Sequence, residues 1–175
     1  MADMVAERWG GVSYKRESWS DSGEDTMRVL GLKLSKNKVV WSLVEGPSRV
    51  DAKVVTHGAT SAPQGDRGAE LVWLRQELLE LLDKHSPDLV AIRVADPGGQ
   101  GNSLPRAEAE GVAQEAIAST GSEVRRFYAA TVRASFSVKN AADLDAALKA
   151  VPATAATPVS RRDPATVAIA CLPES

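Results

Sequence analysis

Lys33 is the first residue in this sequence that invites a chemical question. In "MRVLGLKLSKNKVVWSLVEG" (27–46) it interrupts a strand-like run of Val29, Leu30, Leu32 and Leu34, just after Gly31. An ammonium in a central strand is costly unless it reaches solvent, a cleft or a counter-charge. Other chemistry-bearing residues are sparse. His57 and His85 lie far apart and make no metal-ligand spacing, and the single Cys171 rules out a cysteine zinc cluster. "DPGGQGN" (96–102) has glycines but lacks the Lys-Ser/Thr of a phosphate-binding loop, so it reads as a strand-to-helix connection. Arg125, Arg126, Arg133 and Lys139 read as a solvated basic edge, with a phosphate-contacting strip as the minority reading.

Composition narrows the classes. The chain has 175 residues, 43% of them hydrophobic, enough for one domain with a real core. A net charge of −2 supplies no general basic field for nucleic acid. One cysteine fits a reducing cytoplasm. No apolar run approaches the ~20 residues of a membrane span, and the N-terminus does not resemble a signal peptide, so a cytoplasmic protein with no membrane role is expected.

Residues 1–26 carry three basic and six acidic side chains with no lasting hydrophobic period, and read as an arm outside the domain at 27–175. Trp9, Tyr14 and Trp19 are unusual in such a segment. They fit either residues that fold back on the domain or anchors for a protein partner. Beyond the opening hairpin, "RVDAKVVTH" (49–57) alternates as a third strand, and "GATSAPQGDRG" reads as a loop. From Asp66, Leu71, Leu74, Leu78 and Leu81 or Leu82 form one helical stripe that reads as core. "SPDLVAIRVA" is a buried parallel strand, 102–119 a second helix, "SEVRRFYAA" a fifth strand and 140–150 a short helix. "PATAATPVS" is a loop, and "RRDPATVAIACL" a closing helix with Pro164 in its first turn. A hairpin-built start followed by βαβ crossovers gives an α/β fold: a ribonuclease H-like mixed five-stranded sheet with helices on both faces.

Within that fold the chain resembles the RuvC-type Holliday-junction resolvases over roughly 28–172. "VLGLKLSKN" resembles their first strand, which ends Gly-Ile-Asp, and "HSPDLVAIRVA" their fourth, with Ala-Ile-Glu. "RAEAEGVAQEAIASTGSEVRRFYAATVRASF" resembles the helix and strand that follow, and "RRDPATVAIACL" the closing helix with its Asp-Ala-Ala-Asp-Ala pattern. In that family four carboxylates hold paired divalent metals that bring a water to the scissile phosphate. Carried across, the strand acids fall on Lys33 and Arg93, and the helix acids on Asp163 and Thr166. Cations where a hard divalent ion needs anionic oxygens repel it.

The resemblance therefore implies a protein without catalytic residues, metal or other cofactor. If Lys33, Arg93 and Asp163 meet in the family's cleft, they form either a structural ion pair or an anion site. In the second case Arg161 and Arg162 at a helix N-terminus help to hold a phosphate. A displaced metal group of Asp96, Glu108, Glu110 and Asp163 is the rival. It is weakened because Glu108 and Glu110 face different sides of a helix and Asp96 precedes Pro97 in a turn. Three functions follow: a non-cleaving nucleic-acid-binding or scaffold subunit of a larger complex, a divergent nuclease with relocated ligands, or a protein–protein adaptor. The first is favoured, so DNA or RNA and a protein partner or second copy are the expected partners.

Overall fold

A computed structural model describes residues 26–99, 102–155 and 157–174; the arm's Trp9, Tyr14 and Trp19 lie outside them. Strands β1 (Met27–Leu34), β2 (Lys38–Gly46) and β3 (Lys53–Ser61) are followed by helix α1 (Arg67–His85), β4 (Leu89–Arg93), α2 (Leu104–Ser119) and β5 (Glu123–Phe127). Short helices α3 (Ala129–Ser135), α4 (Ala141–Lys149) and α5 (Pro152–Ala155) lead to α6 (Arg162–Ala170), which a 3₁₀ turn over Val159–Arg161 introduces. The five strands form one mixed sheet in the order β3-β2-β1-β4-β5. β1 pairs antiparallel with β2 and parallel with β4, and β4 pairs parallel with β5.

Alternation along β1 sorts its side chains between two layers. Leu30, Leu32 and Leu34 pack with Val39, Trp41, Leu74, Leu78, Val90 and Ile92 beneath α1 and α2. Val29 packs with Val44, Ala91, Val167 and Ile169 beneath α6. Gly31 and Lys33 share the α6 side. The register sets Lys33 beside Arg93 of β4, so both cations rise from that same face. His85 is buried, its ring tilted against Trp41 at 5.0 Å between centroids, and belongs to the core.

Three element boundaries differ from the sequence reading. The third strand runs Lys53–Ser61 rather than 49–57, and so takes in the start of the expected loop. Residues 48–51 instead make a turn in which the Ser48 hydroxyl donates to Asp51 at 2.9 Å. Gly58, which reads as a breaker, makes room for a tryptophan: a Cβ there would stand 2.6 Å from the Trp41 ring. A bulge at Leu43/Val44 also shifts the β2–β3 register, so Val55 has no partner across the pair. The fifth strand stops at Phe127, because the Asp96 carboxylate accepts from the Ala129 N–H at 2.7 Å and starts α3 there. Residues 152–155 of the expected loop form one helical turn.

Candidate functional site

Gly31 sets the geometry of the site. A Cβ at this position would overlap the Pro164 carbonyl, so only glycine lets the first turn of α6 lie directly on β1. Two residues further on, Lys33 reaches up to Asp163 in that same turn, and its ammonium donates to the Asp163 carboxylate. The side chains are 42% and 53% exposed. The ammonium thus emerges at the open edge of the sheet, with its stem along apolar neighbours, and the burial penalty of a central-strand lysine is avoided.

Arg93 stands next to Lys33 along the sheet but turns elsewhere. Its guanidinium donates to Asp96 at 2.8 Å and to the carbonyls of Val94 and Phe127. The hydrogen bond from Arg93, with that from the Ala129 N–H, holds the Asp96 carboxyl below the usual carboxylate range, and Arg133 adds to the effect. The site thus consists of two ion pairs side by side, Lys33–Asp163 and Arg93–Asp96, at the C-terminal ends of two parallel strands. Asp96 also opens a turn, accepting from Gly99 N–H at 3.0 Å.

Arg162 turns away from this cluster, towards Asp145 of α4. The backbone carbonyl of Arg161 accepts a long hydrogen bond, 3.4 Å, from Ser42. Arg162 lines a small cavity with Asp145, Lys149, Thr154 and Thr166, and its charge acts on Asp145. The reason is helical geometry: Arg162 and Asp163 are successive residues on α6 and project about 100° apart. Thr166 is buried beside that cavity.

The displaced metal group is not assembled either. Asp163 is paired with Lys33, Asp96 with Arg93, Glu108 with Arg67 at 2.8 Å and Glu110 with Arg106 at 2.8 Å. Among the described residues, no three His, Cys, Asp or Glu side chains converge as metal ligands would. The four family positions fare no better, since an ammonium already contacts their one carboxylate. A divalent ion pair does not fit these residues.

Sequence reasoning missed the residues that brace the site. Arg67, in the first turn of α1, donates to Glu70, Glu108 and the carbonyls of Lys36 and Pro105, tying the β1–β2 turn to both helices of the first layer. Arg106 bridges Glu110 and the Arg93 carbonyl, while Glu110 also accepts from Ala95 N–H at 2.9 Å, fixing the end of β4. The Arg106–Glu110 spacing of four residues was a visible signal. Arg67 offered only its three-residue spacing to Glu70, because its other three partners are distant in sequence.

Solved structures share this fold. RuvC of Thermus thermophilus aligns with a TM-score of 0.69 at 18% identity, over 82% of this chain and 92% of that one. The same species' RuvC in complex with Holliday junction substrate gives 0.65 at 17% identity, over 82% and 91%. The yeast mitochondrial Holliday junction resolvase Ydc2 gives 0.59 at 9% identity, over 82% and 78%. No protein-family model matches the chain, and no curated relative does. The fold is RuvC-like: α/β, with a ribonuclease H-like mixed five-stranded sheet. Among the described residues, no helix is long and apolar enough to cross a membrane.

Proposed function

We propose that this chain is a RuvC-fold protein that does not cleave, and that it works as a nucleic-acid-binding or scaffold subunit of a larger cytoplasmic complex. The observation that carries this reading is the Lys33–Asp163 ion pair at the open edge of the sheet. The resolvase chemistry needs a carboxylate at the position of Lys33, and the ammonium there neutralises the acid that remains. What is left is an exposed cation whose counter-ion can be exchanged. An exposed pair of this kind is worth at most about 1 kcal/mol, so a backbone phosphate can displace Asp163 from Lys33 at little cost.

The partner class is DNA or RNA, held through the phosphate backbone, together with a protein partner or a second copy of the chain. Because the Thermus protein was solved with a Holliday junction substrate, a four-way junction is the first probe. Purified protein given Mg²⁺ or Mn²⁺ is expected to leave four-way junctions, duplex and single-stranded DNA, and RNA intact while retarding at least one of them in a gel. Metal-dependent cleavage that disappears in Asp96→Asn or Asp163→Asn would overturn the reading in favour of a nuclease with relocated ligands.

A further inference from the structure

At the opposite end of β1 from the ion pairs lies a groove of about 570 Å³, formed where β2 ends and β3 begins. Its apolar wall is made by Pro47, Val50 and Pro152, and its rim includes Thr26. Val50 is 63% exposed, among the most exposed large apolar side chains of the described residues. The turn that carries it is firmly held. Ser48 and Asp51 bond across it, and the Arg49 N–H donates to the Pro173 carbonyl at 2.8 Å. The Arg49 side chain donates to the Leu172 and Ala170 carbonyls at 3.0 and 3.2 Å, anchoring the turn to the end of α6. A valine fixed outward between two prolines is a ready-made seat for a flat aromatic ring.

The groove's charged residues are Glu45, which pairs with Arg28 at 2.9 Å, Asp51, which accepts from the Ser48 hydroxyl, and Lys53, which stands opposite Glu45 across the β2–β3 pair. The segment that joins the domain at Thr26 reads "SWSDSGEDT" (18–26), with Trp19 followed by Asp21, Glu24 and Asp25. Trp19 is seven residues from Thr26, a span of at most about 25 Å, so its indole can reach every part of a groove that Thr26 itself borders. Tethering at that length supplies an effective concentration on the order of millimolar, enough to populate even a weak contact.

We propose that the Pro47–Val50–Pro152 groove is the seat of Trp19 from the chain's own N-terminal segment. The segment thereby straps the β2–β3 turn from outside. This inference is independent of the nucleic-acid reading, because it concerns the other end of the sheet.

The test uses the full chain. Limited chymotrypsin digestion, read by mass spectrometry, follows cleavage after Trp19 in the native protein and in Val50→Asp. Cleavage several-fold faster in the variant is expected, because the seat is lost while the fold stays intact. Thermal melting of Trp19→Ser, Val50→Asp and the double variant supplies a second reading, in which the double variant melts no lower than the weaker single one. Equal cleavage rates would overturn the proposal. So would additive melting shifts, or a Val50→Asp melting shift of unchanged size after residues 1–25 are removed. The last result would show that Val50 contributes to stability within the domain alone.

Discussion

Arg67 and Lys33 are both cations that join distant parts of the chain, yet the protein holds them in opposite ways. Arg67 has two carboxylates and two carbonyls as partners and is about one quarter exposed. Lys33 has one carboxylate and is nearly half exposed. Removing the first leaves half-buried acceptors from three elements unpaired, whereas removing the second releases one acid into water. The contrast separates a brace from a site: multiple partners and burial mark a residue that maintains the fold, and a single exchangeable partner marks one that is free to bind something else.

Three measurements can break or sharpen that contrast. The largest effect is expected for Arg67→Ala, which should destabilise the domain by about 2–4 kcal/mol through unpaired acceptors; chemical denaturation measures it. A loss as small as that of Lys33→Ala would abolish the distinction. The second pair of the site, Arg93–Asp96, should behave as an intermediate case visible in pH. Because Arg93 and the Ala129 N–H lower the Asp96 pKa in the folded protein, its contribution is fully present above the unfolded value near 3.8 and is lost as pH falls through the lower folded value. Acid melting of Asp96→Asn should lack that part of the slope, and an unchanged slope would show that the pair does not stabilise the fold. The smallest stability effect belongs to Lys33→Ala, less than about 1 kcal/mol. Its mark should appear in binding, as a salt dependence reduced by about one phosphate contact. A large melting shift with unchanged binding would turn Lys33 into a second brace.

What was readable in the sequence follows the same division. Strand alternation and the leucine stripe of α1 report burial, which sets the layers, so the mixed sheet and the order of its elements could be read directly. The convergence of Lys33 on Asp163 came through the resemblance, since nothing local joins residues 130 positions apart. Arg93's choice of Asp96 was hidden because a strand residue and one three places on meet only if the chain turns between them. The start of α3 was hidden for a related reason: its first N–H is satisfied by Asp96, 33 positions upstream, and no local capping residue marks it. Gly58 misled because glycine is also the residue that a neighbouring tryptophan requires.

The seating of α6 on Gly31 has a consequence for how the chain matures during synthesis. Val29, Val44 and Ala91 form half of an apolar layer whose other half, Val167 to Leu172, is translated more than 70 residues after the latest of them. At ~5–20 residues per second, the sheet has one bare hydrophobic face for several seconds or more, while its α1–α2 face can already close. The nascent domain therefore passes through a half-covered stage in which a chaperone binding that face would compete with α6, and any truncation before Pro164 would make the stage permanent.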